Sequence, residues 1–190
     1  MRVISGRFRG RQLASFDAGH IRPTTDRVKE SIFNKLQGYF ENAQVLDLFS
    51  GTGNLAIEAL SRGALHVDSV EMNKKSIGII QKNIELLQIS KDEIRVISSD
   101  VLKYLKQYQG SAYDVILADP PFTQKMADDV LRSLCQSLAV GDDTLIMIES
   151  STHEKLDSLY EFEEQKPLER FDSRDYGDKV VSYFKRKDTL

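Results

Sequence analysis

The chain has 190 residues, which suits one domain or one domain with a small appendage. Its 41% hydrophobic content supports a packed core and excludes wholesale disorder. No apolar run approaches the ~20 residues of a membrane helix, and the arginine-rich start gives no expectation of a signal peptide. The net charge of −3 hides an asymmetry: residues 1–40 carry +5 and the remaining 150 carry −8. A basic start on an acidic body points to a polyanion gripped at one end, although a solvated basic hairpin accounts for the same charges. One cysteine, Cys135, forms neither an internal disulfide nor a zinc site, so a cytoplasmic location is expected.

Residues 1–13 alternate as a strand pair would, with Gly6 and Gly10 marking a turn or bulge. After a loop over 14–23, Pro23 precedes a helical spacing of Val28, Ile32, Leu36 and Phe40. From Gln44 onward strands are predicted at 45–49, 67–71, 94–98, 115–118 and 145–148. Between them lie amphipathic stretches marked by Leu55, Ala59 and Leu60, by Ile77, Ile80, Ile84 and Leu87, and by Val130, Leu131, Leu134 and Leu138. Alternating strands and helices predict a mostly parallel sheet covered on both faces. The strand-like segments 160–162, 168–171 and 180–184, with a turn at Tyr176-Gly177-Asp178, predict antiparallel strands at the edge. Two units are expected: a basic hairpin-and-helix extension over 1–40 and a doubly wound α/β domain over 41–190.

Doubly wound sheets bind ligands at the carboxyl ends of their strands. The first strand runs into Asp47-Leu48-Phe49-Ser50-Gly51-Thr52-Gly53-Asn54-Leu55-Ala56, where Gly51, Gly53 and Ala56 fit a nucleotide-binding spacing. Glu71 ends the second strand, 18 residues after Gly53, where a carboxylate can accept both hydroxyls of a ribose. Asp100 follows the third strand and suits either an adenine amine or a helix N-cap. Asp47 beside the loop would repel a pyrophosphate and attract a cation, which favours S-adenosylmethionine over a nicotinamide. After the fourth strand, Asp119-Pro120-Pro121-Phe122 has a fixed backbone lacking two N–H donors. Acceptors are left for an amine in the plane of an aromatic ring, on which Phe122 could stack.

These residues carry a family resemblance. The segment 47–53 resembles motif I of class I S-adenosylmethionine-dependent methyltransferases, and 119–122 is similar to the motif of enzymes that methylate exocyclic amines of nucleobases. Arg2-Val3-Ile4-Ser5-Gly6, Arg9-Gly10-Arg11 and the run from Arg22 to Glu30 resemble the bacterial 16S rRNA guanine-N2 methyltransferase family, as does Tyr176-Gly177-Asp178. The resemblance implies a doubly wound, Rossmann-like class I methyltransferase sheet, mostly parallel with antiparallel C-terminal edge strands and a small N-terminal hairpin-and-helix extension. It implies methyl transfer from S-adenosylmethionine to one guanine N2 in small-subunit rRNA, within an assembled or assembling particle, by a monomer without metal or membrane. Asp119, Pro120 and Phe122 would hold the base. Asp47, Phe49, Gly51, Gly53 and Asn54 would meet the cofactor from the first strand; Glu71, Met72, Asp100, Val101 and Asp119 would meet it from the next three. Arg7, Arg9, Arg11, Arg22 and Arg27 would meet RNA.

Two other readings share these features. Adenine-N6 methylation of DNA or RNA needs the same acceptor geometry. A nicotinamide-dependent oxidoreductase would use Gly51, Gly53, Ala56 and Glu71 equally well. His20, His66 and His153 show no metal spacing and read as surface or loop residues, and Cys135 reads as core.

Overall fold

The computed structural model describes residues 1–16, 26–124, 126–163 and 165–187. Among them eight strands form one sheet in the order β3-β2-β1-β4-β5-β8-β7-β6. Strands β1 (Gln44–Leu48), β2 (His66–Glu71), β3 (Ile94–Ser98), β4 (Tyr113–Ala118) and β5 (Val140–Ser151) are parallel. Strands β6 (Leu159–Phe162), β7 (Gln165–Tyr176) and β8 (Lys179–Arg186) add an antiparallel edge beside β5. The helices are α1 (Asp26–Lys35), α2 (Asn54–Ser61), α3 (Lys74–Leu87), α4 (Val101–Gln107) and α5 (Ala127–Gln136). None of the described helices is long and apolar enough to cross a membrane.

Side-chain alternation divides the core. Val45, Leu117, Met147 and Tyr183 face one side, beneath α1 and α2. Leu46, Leu48, Ile116 and Ile146 face the other, beneath α4 and α5, where Cys135 is also buried. Sequence order reverses between β1 and β4, which opens the crevice where ligands bind in such sheets.

Three expectations change in detail. The strand pair over 1–13 is reduced to a single antiparallel bridge, Arg2 to Gln12. Around it Val3 donates to Arg11 and Leu13 to Met1, and further backbone groups bond to α2: Ile4 and Ser5 amides donate to Glu58, and the Arg7 amide donates to the Ser61 carbonyl at 2.9 Å. At Gly6 (φ 80°) a Cβ would lie 1.6 Å from that carbonyl oxygen, so only glycine permits the contact. Val3 and Leu13 thereby share one core with Ile32, Val45 and Leu60. The helix expected through Phe40 stops at Lys35; Leu36 and Phe40 remain buried through the turn that follows, Phe40 stacking on Phe33 at 5.0 Å. Strands β5 and β7 each span 12 residues, longer than their apolar runs, because their polar ends still pair with neighbours. Pro23 lies outside the described residues.

Candidate active site

The loop after β1 turns through left-handed backbone at Phe49 (φ 59°), Gly51 (φ 58°) and Gly53 (φ 78°). At Gly53 a Cβ would press on Ile80 of α3 at 3.3 Å. Positive φ at a non-glycine residue such as Phe49 is strained backbone of the kind concentrated at functional loops. The loop is held from below. Asp47 Oδ2 accepts from the Ser50 hydroxyl (2.5 Å) and the Ala56 amide (3.2 Å), and the Ser69 hydroxyl donates to Ser50 Oγ at 2.6 Å. Asn83, fully buried on α3, donates to the Thr52 carbonyl and exchanges hydrogen bonds with the backbone of Ala14.

This placement corrects the reading of Asp47. Its carboxyl is 1% exposed and lies under the loop, bonded to Ser50 and Ala56. Burial pushes its pKa up to about 7, opposed by the Ser50 and Ala56 hydrogen bonds and reinforced by Glu71. A group that is half protonated near neutrality repels a phosphate or attracts a cation less than a full charge would, so the argument from sign alone weakens. Oδ1 remains buried without a hydrogen-bond partner.

The raised value has a consequence for stability. Between pH about 4 and about 7 the folded chain keeps a proton on Asp47 that the unfolded chain has released. Stability from this group is therefore full at low pH and declines as pH rises through that window. Asp47→Asn should remove the decline. Thermal melts at pH 4 and pH 8 should show the variant close to wild type at the lower pH and several degrees above it at the higher. Parallel pH profiles would exclude this role for Asp47.

Glu71 closes the loop from the end of β2. Its Oε2 accepts from the Gly51 amide at 2.8 Å and its Oε1 from the Asn73 amide at 2.7 Å. Met72 beside it is exposed. Asp100 is the N-cap of α4, accepting from the Lys103 amide at 2.9 Å, and Val101 behind it is buried. Asn54 Oδ1 accepts from Lys29 Nζ at 2.9 Å.

The Asp119 amide donates to the Leu48 carbonyl at 3.4 Å, so the loop after β4 begins against the end of β1. Pro120 is buried, and Phe122 opens a 3-10 turn over Phe122–Gln124. In the ladders Asp47 pairs with Ser69 and Leu117, and Leu117 with Met147. Two residues further along their strands stand Glu71, Asp119 and Glu149, which alternation places on that same face. Glu149, fully buried, forms an ion pair with Lys179 of β8, whose Nζ lies 5.4 Å from the Phe122 ring centroid. Sequence reasoning missed Asn83, Glu149 and Lys179. Asn83 interrupts the apolar stripe of Ile80, Ile84 and Leu87, and Glu149 directly follows a buried strand run, so the first two had readable signals.

The basic residues of the first 40 are largely engaged. Arg2 pairs with Asp26 (3.0 Å), Arg7 with Glu93 (2.5 Å), Lys29 with Glu58 (3.2 Å) and Lys35 with Asp172. Arg11 donates to the Leu86 carbonyl. Arg9 and Arg27 are exposed; Arg22 lies outside the described residues, as do Thr24 and His20. His66 opens β2, with its ring bonded to Asp68 and the Asp92 carbonyl, so it is more engaged than a surface histidine; His153 is exposed. Among the described residues no group of three or more His, Cys, Asp or Glu side chains is placed to hold a metal ion.

A parallel sheet in this order, with a glycine loop at the reversal and an antiparallel C-terminal edge, is the Rossmann-like fold of class I methyltransferases. The chain belongs to the family described as Conserved hypothetical protein 95, which matches residues 1–185. It is 37% identical over 157 residues to the ribosomal RNA small subunit methyltransferase D of Haemophilus influenzae, covering 82% of this chain and 81% of that one. The protein of the same name from Escherichia coli strain K12 is 35% identical over 159 residues, covering 84% and 79%. A solved chain from Escherichia coli superposes with a TM-score of 0.85 and 29% identity over 98% of both chains.

Proposed function

We propose that the chain transfers the methyl group of S-adenosylmethionine to the N2 amine of a guanine in small-subunit rRNA, releasing S-adenosylhomocysteine. The observation that carries this reading is the meeting of two loops. The Asp119-Pro120-Pro121-Phe122 loop starts against the end of β1, from which the glycine loop departs. The names of the relatives support rRNA as the substrate class. The setting proposed is the cytoplasm, with a monomer acting on rRNA in an assembled or assembling small subunit.

The residues present fit the cofactor. Each Glu71 oxygen accepts one backbone amide and keeps a lone pair for a ribose hydroxyl. Asp47 Oδ1 is a buried acceptor with no partner, and exposed Met72 offers apolar surface beside the ribose position. S-adenosylmethionine supplies an electrophilic methyl group on a cationic sulfur.

The remaining chemistry belongs to the chain. A guanine N2 lone pair is delocalised into its ring, so the enzyme must orient the amine. Asp119 and the Pro120 carbonyl accept hydrogen bonds from the two N2 hydrogens, turn the lone pair toward the methyl group and stabilise the charge that grows on nitrogen, which loses one proton to solvent after transfer. Phe122 stacks on the base, which offsets part of the cost of taking it out of its stack.

Glu71→Ala should weaken S-adenosylmethionine binding by about 10- to 100-fold, since charge-assisted hydrogen bonds contribute about 1.5–3 kcal/mol each. The same change frees the Gly51 amide and loosens the loop. Calorimetric titration reads the effect, and unchanged affinity would remove Glu71 from the site. The function itself is tested by incubating the protein with S-adenosylmethionine and either naked 16S rRNA or small subunits from cells lacking the gene. Mass mapping should find N2-methylguanosine at one position. N6-methyladenosine would reassign the base, and an unmodified product from both substrates would refute the proposal.

A further inference from the structure

We infer that the cleft between α1 and β7 binds the phosphate backbone of the RNA strand entering the catalytic loop, an inference that rests on the rRNA reading above. The cleft measures about 500 Å³ and is lined by Arg27, Glu30, Ser31, Asn34, Lys35 and Arg174. Asp172 on β7 is shared by two of its cations: it forms an ion pair with Lys35 and lies 3.7 Å from Arg174 Nε. One carboxylate cannot neutralise both, and Glu30 opposes only one further charge, so the cleft stays positive. Two of these cations, Arg27 and Lys35, come from the basic first 40 residues, and Arg174 joins them from the remainder, which carries −8. Arg174 is half exposed and Arg27 is exposed, so both can reach a ligand.

An aromatic surface accompanies the charge. Phe171 is 45% exposed at the bulge of β7, with its ring centroid 5.8 Å from Lys35 Nζ. Cations beside an exposed ring are the combination that tracks a single-stranded backbone and stacks a base. The walls are tied together, because the hydroxyls of Ser31 on α1 and Tyr176 on β7 lie 2.5 Å apart.

Register connects the cleft to the catalytic loop. Arg174 pairs with Val181, and Val181 pairs with Glu149, so Arg174 shares the sheet face of Glu149 and its partner Lys179. Tyr176 pairs with Lys179, whose ammonium stands over Phe122. Basic side chains therefore line the way from Phe122 through Lys179, held by Glu149, and Arg174 to Lys35, held by Asp172, and Arg27; the exposed Arg174 and Arg27 are the ones placed to reach a phosphate. Arg7 lies elsewhere: its partner Glu93 directly precedes β3, at the opposite end of the parallel strands. A strand of five or six residues separates the two ends by roughly 17–20 Å.

The test is filter binding of 16S rRNA across a salt series, with thermal melts and calorimetric S-adenosylmethionine titration as controls. Arg27→Ala with Arg174→Ala should lower the salt slope of log affinity by about 1.4–1.8, from two lost phosphate contacts, and weaken binding about tenfold or more. Cofactor affinity and melting should not change, and Arg27→Lys with Arg174→Lys should keep the wild-type slope. Arg7→Ala, Arg9→Ala and Arg11→Ala together should flatten the slope less. A double alanine variant with the wild-type slope, beside a triple variant that loses it, would move the phosphate path to the first residues and overturn the inference alone. Wild-type protein that captures no rRNA at any salt would overturn both the inference and the rRNA reading.

Discussion

Asp119→Ala should reduce methyl transfer by about 10²- to 10³-fold while cofactor affinity stays within about twofold. The size follows from the role. Removing one group that stabilises developing charge in a water-poor site costs about 2.7–4 kcal/mol. The lost acceptor also stops turning the amine lone pair toward the methyl group, which is the orientational part of the barrier. The restriction to the chemical step follows from position. The glycine loop that meets the cofactor is held by Glu71, Asp47 and Ser69, which accept from or donate to its amides and hydroxyls, whereas Asp119 opens the loop that meets the base. Single-turnover assays at saturating cofactor separate binding from chemistry. Phe122→Ala should behave in the same direction, through loss of stacking. Near-normal turnover in Asp119→Ala would sink the orientation mechanism.

Glu58→Ala should destabilise the fold by about 3–5 kcal/mol, because it leaves a buried cation without its counter-ion. The Glu58 and Lys29 side chains are 0% and 1% exposed and stand 3.2 Å apart. Burial drives the Lys29 pKa down and the Glu58 charge holds it up. Glu58 also accepts from the Ile4 amide at 2.8 Å, the Ser5 amide at 3.0 Å and Arg62 Nε at 3.0 Å. Its loss therefore strips the first residues of their anchor on α2 as well as the ion pair. For a chain of this length the melting temperature should fall by roughly 10 °C, and protease should cut the first 13 residues sooner than in wild type. Lys29→Met combined with Glu58→Leu should recover part of the loss, since an apolar pair removes the uncompensated charge. A melting point within 2 °C of wild type, on a scale of about 2–4 °C per kcal/mol, would show that the chain tolerates the orphaned lysine.

The same ion pair links the two regions that the sequence presents as separate. Lys29 donates to the Arg2 carbonyl and to Asn54, the first residue of α2 after the glycine loop. Asn83 does the equivalent from α3, touching Thr52 of the loop and Ala14 of the N-terminal segment. Asn54, expected as a cofactor contact, also takes part in the joint between the N-terminal segment and the domain.

Much of this protein was decided locally and could be read from the chain. Strand β3 falls where its apolar residues end, and the parallel order follows from strands separated by amphipathic helices. The glycine loop, Glu71 and Asp119-Pro120-Pro121-Phe122 are contiguous motifs at strand ends, so their positions required no knowledge of distant contacts. What only the tertiary structure decided are the pairings between residues far apart in sequence. Period-2 and period-3.6 patterns report which side chains are buried, not which charges meet. The +5 of residues 1–40 is a sum; the fold consumes much of it, pairing Arg7 with Glu93 and Lys29 with Glu58. Asp47 shows the same limit: alternation assigns it a face, but burial under Ser50 and Ala56 determines its charge. The α1–β7 cleft is the furthest from the sequence, since Arg27 and Arg174 line one cleft only after the sheet has brought its last hairpin back beneath the first helix.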